Sequence, residues 1–288
     1  MSATVPVLII NLATAGRRWN HIQADTQAHL PWCPLVRIDA VDWRSLPSDP
    51  SKLPVTLFTR YLISFPEQQS SVRISHRQVD TLSSVAIVMS HMKCWQWLID
   101  HPKESCVLIL EDDACFDRGF QQVWDHSVTH LLTATNHWDL LVLGYFAVSG
   151  TERVHTLPGT IPPVETKTVS QFYGAHAYMV TRNGAQTLLQ HALPIDVQVD
   201  GLFLTLHELQ ELRLHMLMQS TMSQCMDSVN REGSWHTHTV ITRPTVLTVL
   251  QGNTWPFLVY VIIAVLIGVV ILYWRSSATI TPSCVEGK

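Results

Sequence analysis

Charge is scarce in this chain: 15% of its 288 residues are Asp, Glu, Lys or Arg, against roughly a quarter in ordinary soluble proteins. The 19 basic and 23 acidic residues leave a net charge of −4, and no long run of lysine or arginine occurs. That excludes the basic footprint of a nucleic-acid-binding protein, so a nucleotide handled here is a small ligand, not a polymer. The six cysteines (Cys33, Cys94, Cys106, Cys115, Cys225, Cys284) form no CxxC pair. A cysteine-rich zinc site is thereby excluded, and the cysteines read as free thiols, most of them small core residues. There is no GxxxxGK segment, hence no P-loop cradle for phosphates. No asparagine stands in an N-glycosylation sequon, and no basic residue precedes the first apolar stretch as in a signal peptide.

What is present includes one long apolar run. Residues 256–274 (PFLVYVIIAVLIGVVILYW) carry no charge. At ~1.5 Å per residue, a helix of that length reaches roughly 28 Å, close to the hydrocarbon thickness of a bilayer. Trp255, Tyr273 and Trp274 bracket it as interfacial aromatics, and Arg275 follows. The expectation is a globular domain at 1–250, a linker at 251–255, a transmembrane helix at 256–274 and a tail at 275–288. The result is a single-pass membrane protein with a C-terminal anchor and a globular domain in the cytosol.

Ahead of that run, strand and helix signals alternate. Residues 5–12 form a first apolar strand, and a helix follows from about Arg17 to Leu30. LVRIDAV gives a second strand, and the Pro- and Ser-rich residues 42–78 read as a long surface excursion, the kind that serves as a lid or binding loop. Between Ser83 and Asp100, apolar residues recur at helical spacing up to His101-Pro102. SCVLIL and WDLLVLG are short unbroken apolar runs, as in strands buried on both faces. Residues 147–169 read as irregular, 172–180 as a strand, and 183–192 and 202–215 as helices. This alternation predicts an α/β sandwich with a mostly parallel sheet.

The main chemical signal is Glu111-Asp112-Asp113, directly after the strand Val107-Leu108-Ile109-Leu110. Three carboxylates at the end of a buried strand are costly unless something neutralises them. Ligands of open α/β sheets bind at the carboxyl edge of the strands, where this triplet sits. Strand alternation sends Glu111 and Asp113 one way and Asp112 the other. Two acids on one side can share a hard cation, and the third can reach a ribose hydroxyl. The alternative is a solvated acidic turn that caps the next helix.

The surroundings of the triplet resemble glycosyltransferase family 25, the lipooligosaccharide and procollagen galactosyltransferase family. The likeness is carried, in order, by VLIINLATAGRRW, VRIDAVDW, SSVAIVMSHMKCWQWLI, VLILEDDACF, WDLLVLG, YGAHAYMVTRNGAQTLL and PIDVQVD. It covers roughly residues 5–205. Where the family's helix begins with Gly-Glu and has Gly-Cys before its Ser-His pair, this chain has Ser83, Ser84, Ala86 and Ile87.

The resemblance implies a GT-A-type, Rossmann-like fold and metal-dependent transfer of a hexose (galactose or glucose) from a nucleotide-sugar donor, a UDP-hexose, with inversion. The acceptor would be a glycan, glycolipid or protein. Asp113 is the first choice of ligand for Mn²⁺ or Mg²⁺, with Glu111 beside it and Asp112 on the ribose or behind the metal. Asn11, Leu12 and Arg17 would lie by the base and ribose of the donor, and Asp39, Ala40 and Asp42 would line the same pocket. Ser90 and His91 would approach the phosphates. SWHTH offers His236 as a third metal ligand and His238 as a neighbour, or is simply a polar strand. An inverting transfer needs a carboxylate base; Asp200 is the first choice and Asp196 the second, and either could instead cap a helix. The alternative from another class is a catalytically silent glycosyltransferase-like domain serving as a binding or envelope protein.

Overall fold

The apolar runs form the centre of one sheet because each strand has a core to fill on both faces. The computed structural model describes residues 4–66 and 77–225. Its strands are β1 (Val7–Asn11), β2 (Leu35–Asp39), β3 (Cys106–Glu111), β4 (Ala114–Phe116), β5 (Leu140–Gly144), β6 (Ala147–Leu157), β7 (Val164–Tyr173), β8 (Ala177–Thr181), β9 (Leu214–Leu217) and β10 (Met222–Gln224). They join in the order β2-β1-β3-β8-β5-β9-β7-β6, with β10 pairing β4 and β5. Strands β2, β1, β3, β5 and β9 run the same way, and β8 runs against them between β3 and β5. The expected mixed α/β architecture with a mostly parallel sheet is what forms.

Helices cover both faces. One core holds α3 (Leu82–Asp100), α4 (Arg182–His191) and α5 (Val199–Glu208), with Val85, Trp95, Leu188 and Phe203 among its buried residues. The other holds Ile22 of α1 (Gly16–His29) and the helical stretch after β4, with Phe120, Trp124 and Leu131. That stretch is helical from Phe120 to Leu132, with a π-helical turn at Trp124–Val128 in its middle.

Four expectations need correction. The excursion 42–78 contains a helix, α2 (Leu57–Ser64), started by the Thr56 hydroxyl accepting from the Thr59 amide. Residues 147–169, expected to be irregular, form most of a long antiparallel hairpin of β6 with β7. The strand expected at 172–180 is broken at Gly174, which separates β7 from β8. The helix expected at 202–215 begins earlier and stops at Glu208; Gln210 adopts a φ of 61°, and Leu214–Leu217 turn back as β9. The expected transmembrane run, linker and tail lie outside the described residues. Among those described, no helix is long and apolar enough to cross a membrane.

The amino edge of the sheet is fastened by a buried acid. Asp139, 2% exposed, precedes β5 and accepts from the Arg213 backbone N–H, from Arg213 Nε and Nη2 at 2.8 and 2.7 Å, and from Asn183 Nδ2 at 2.8 Å. Burial alone would raise its carboxyl, but these hydrogen bonds and the Arg213 charge carry it below the usual carboxylate range. Its stabilisation is therefore complete above the unfolded value near ~4 and is lost as pH falls through the lower folded value. Asp139→Ala, which takes the shared acceptor from the Arg213 guanidinium, the Arg213 backbone N–H and the Asn183 side-chain amide, is expected to cost about 3 kcal/mol at neutral pH, read by denaturant titration. The variant should also unfold in acid with a shallower pH dependence than the parent.

Candidate active site

Alternation along β3 decides where its terminal acids go. Val107 and Ile109 fill the core beneath α3, while Leu108 and Leu110 fill the one beneath α1. Counting on, Glu111 faces α3 and Asp112 faces α1. The partners agree. Glu111 Oε1 lies 3.3 Å from His91 Nε2 on α3. Asp112 pairs with Arg18 on α1 and accepts from Asn11 Nδ2 at 2.6 Å. Asn11 in turn accepts from Arg37 Nη2 at 2.6 Å, and the same nitrogen donates to the Leu12 carbonyl at 3.2 Å. The carboxyl ends of β1, β2 and β3 are thus sewn into one polar floor.

Asp113, in the turn between β3 and β4, is 6% exposed. Burial first, then the charges of Glu111 and Asp112, raise its carboxyl to about 8, against a smaller pull from Arg18. Burial also raises Asp112, despite Arg18 and Asn11. Glu111 moves down instead: burial opposes its charge, but the His91 hydrogen bond and the charges of His91, His176 and Arg18 outweigh that. Three adjacent carboxyls, two of them pushed toward the neutral form, mark a site short of positive charge.

Among the described residues, no three His, Cys, Asp or Glu side chains are gathered to enclose a metal ion. Mg²⁺ or Mn²⁺ needs only one or two protein carboxylates when phosphates complete its shell. Asp113 and Glu111 are the carboxylates of this turn that could serve in that way. His236 and His238 lie outside the described residues.

The other residues expected here make contacts of their own. Ser90, 3% exposed, spends its hydroxyl on structure: it accepts from the Val41 amide at 2.8 Å and donates to the Ala86 carbonyl at 2.7 Å. Asp42 caps a short 3-10 turn, and Arg44 holds its carboxylate through contacts of 2.6–3.1 Å, which keep its pKa low. Asp39 is exposed at the end of β2, where its carbonyl accepts from Lys93 Nζ at 2.7 Å, and Ala40 donates to the Asn11 carbonyl at 3.0 Å. Arg17 is exposed on α1, and its neighbour Arg18 pairs with Asp112.

Asp200 lies in the first turn of α5, 9% exposed. Its carboxylate accepts from the Gly174 and Gly201 amides at 3.1 and 2.8 Å. Gly174 has a φ of +95°, and a Cβ there would stand 2.7 Å from the Phe146 ring, so glycine is required for this turn. Two residues on, the His176 carbonyl accepts from the Glu111 amide at 2.9 Å. Asp200 and the acidic turn therefore border the same short segment, 174–176. Asp196 is exposed in the loop before α5 and its carboxyl is raised by burial of its surroundings.

Sequence reading missed five residues of this region: Arg18, Arg37, His176, Tyr178 and Gln224. Arg37 was detectable as a lone arginine inside a strand-like run, a position that needs a buried partner. His176, 1% exposed, donates from Nε2 to the Met222 carbonyl at 3.2 Å over Gly144, where a Cβ would sit 2.5 Å from that nitrogen. Gln224 Nε2 reaches Glu111 Oε2 at 3.4 Å.

The free-thiol reading also needs correction. Cys115 and Cys225 form a disulfide across 110 positions, with Cα atoms 5.6 Å apart. Beside it, the Cys225 amide donates to the Asp113 carbonyl at 2.7 Å, and β10 pairs antiparallel with β4. No spacing rule brings these two cysteines together; the sheet does. Cys33, Cys94 and Cys106 are free and buried as expected, and Cys284 lies outside the described residues.

In open α/β sheets ligands bind at the carboxyl edge of the strands, which is where this acidic turn lies. The model of glycosyltransferase family 25 (LPS biosynthesis protein) matches residues 4–203. The chain belongs to that family and is a glycosyltransferase. No curated protein matches it. Among solved structures it is similar to A197 from STIV, at 10% identity over 76% of this chain and 83% of that one, with a TM-score of 0.36. A putative glucose-1-phosphate thymidylyltransferase from Bacillus anthracis gives 7% identity over 77% and 89%, with a TM-score of 0.39. Mouse xyloside xylosyltransferase 1 gives 10% over 75% and 85%, with a TM-score of 0.34.

Proposed function

We propose that the protein is a metal-dependent glycosyltransferase that moves a hexose from UDP-hexose to a glycan, glycolipid or protein acceptor with inversion. The observation that carries this is the acidic turn itself: Glu111 ends β3 at the carboxyl edge of the sheet, and Asp112 and Asp113 follow it with both side chains buried. Asp113 and Glu111 would hold Mn²⁺ or Mg²⁺, with His236 as a later ligand. When bound, the cation supplies Lewis-acid neutralisation of the leaving diphosphate. Asn11 and Asp112, fixed by Arg37 and Arg18, present polar atoms for the ribose, with Leu12 beside them.

Asp200 would take the proton of the acceptor hydroxyl as the hydroxyl attacks the anomeric carbon. Two backbone amides fix its carboxylate, which orients it but also spends acceptor capacity. Asp200→Asn keeps the shape and removes the base, so transfer should fall by about a hundredfold or more while UDP binding in Mn²⁺ is unchanged. Transfer at parental rate in that variant would move the base elsewhere, with Asp196 next in line. Binding of Mn²⁺ and UDP with no turnover in the parent itself would favour the silent, binding-protein reading.

For location, we propose that residues 256–274 anchor the domain to a membrane as a single pass. The Cys115–Cys225 disulfide favours an oxidising compartment over the cytosol for the globular domain.

A further inference from the structure

A chain of hydrogen bonds runs from the core under α3 to the acidic turn. Trp95 Nε1 donates to Tyr178 Oη at 2.9 Å, Tyr178 Oη lies 2.9 Å from His91 Nδ1, and His91 Nε2 lies 3.3 Å from Glu111 Oε1. Trp95 and Tyr178 are fully buried and His91 is 1% exposed. Around them the core is apolar, with Val88, Val107, Ile109 and Phe203 among the neighbours in the same cluster. Polar groups there are costly unless each is satisfied, and among the described residues Trp95, Tyr178, His91 and Glu111 satisfy one another in sequence.

The donors can be ordered. An indole N–H only donates, so Tyr178 Oη accepts from Trp95 and has its own proton to give. That proton goes to His91 Nδ1, which must then be a bare acceptor. His91 Nε2 carries the ring hydrogen and donates it to the Glu111 carboxylate. The opposite tautomer would aim a lone pair at a carboxylate and leave the Tyr178 proton with no acceptor in this set.

From this we infer that Tyr178, seated by Trp95, is a positioning residue that fixes His91 in its Nε2–H form and through it orients Glu111 in the donor site. The inference rests on the reading of Glu111 as a donor-site carboxylate. Glu111 is held from two sides, with Gln224 on Oε2 and His91 on Oε1. Only the His91 arm is anchored in the interior, because Gln224 lies at the end of the short strand β10. Groups behind a ligating carboxylate typically change affinity about tenfold or more when removed.

The test uses the full-length protein. Tyr178→Phe keeps the ring and removes one oxygen. Its affinity for UDP in the presence of Mn²⁺, read by calorimetry, should fall about tenfold. In a His91→Gln background the same substitution should change affinity less than twofold, because its effect passes through His91. Nitrogen-15 spectra of the histidine rings, with His91 assigned by its loss in His91→Gln, should show the Nε2–H form in the parent and a mixture in Tyr178→Phe. A purely structural tyrosine would move neither the coupling nor the tautomer. Parental affinity in Tyr178→Phe, an undiminished effect in the His91→Gln background, or an Nδ1–H ring in the parent would each overturn the inference. If the parent binds no Mn²⁺ and UDP at all, the enzymatic reading of the site fails, and the ring tautomer still decides whether the relay exists.

Discussion

Asp113→Ala should abolish Mn²⁺-dependent turnover of UDP-hexose, by about a thousandfold or more, in a protein that stays folded. A developing diphosphate charge left without its metal ligand costs several kcal/mol in the transition state, and each ~1.4 kcal/mol is a factor of ten in rate. Loss of folding in the variant is not expected, because the metal-free parent gains nothing from the charged form. The Asp113 carboxyl is raised to about 8 by burial and by Glu111 and Asp112. Between the unfolded value near ~4 and the folded one, the native state holds a proton that the unfolded state has released. Metal-free stability therefore declines as pH rises across that window. Asp113→Asn, which is neutral throughout, should flatten that decline and melt above the parent at pH 8 without metal. Saturating Mn²⁺ and UDP should reverse the order by stabilising only the parent. A metal-free parent whose stability rises from pH 5 to pH 8 while that of Asp113→Asn does not would contradict this placement of the charge.

The second large effect concerns the disulfide. Replacing Cys115 and Cys225 together with serine is expected to lower stability by about 3 kcal/mol, since the bond closes a loop across 110 positions. The effect should reach the site as well. Cys225 and Gln224 leave β10 together, and their contacts are to the Asp113 carbonyl and the Glu111 carboxylate. Binding of Mn²⁺ and UDP should therefore weaken in the double variant and in parent protein treated with reductant. Intact binding and an unshifted melting temperature after complete reduction would show that the bond is incidental. Mapping the globular domain to a reducing compartment would count against its role in the cell.

How much of this was legible in the sequence depends on whether neighbours along the chain or across the sheet decide each feature. The strand Val107 to Leu110, its acids and the helix of His91 are local patterns, and all form where expected. Strand alternation by itself assigns Glu111 and Asp112 to opposite sides, where His91 and Arg18 meet them. The β6–β7 hairpin was not legible, because AVSGTERVHTL has no apolar alternation; its pairing partner makes it a strand. Strand β9 was hidden behind a helix whose end is marked by Gln210 in the left-handed region, a position where glycine is the usual signal. Arg18 rather than Arg17 reaches Asp112 because the phase of α1 decides, and one residue is within the error of any helix start. Ser90 is expected near the phosphates from the family resemblance alone, and its structural contacts, which fasten the loop after β2 to α3, have no signal in the sequence. The Tyr178–His91 contact spans 87 positions and could only come from β8 lying beside β3 under α3.

The most direct measurement is calorimetric titration of the full-length protein with UDP, with and without Mn²⁺, beside Asp113→Asn. A donor site built on the acidic turn requires binding that needs the metal in the parent and is lost in the variant. UDP bound equally well by both proteins, or bound by the parent without regard to Mn²⁺, would contradict it.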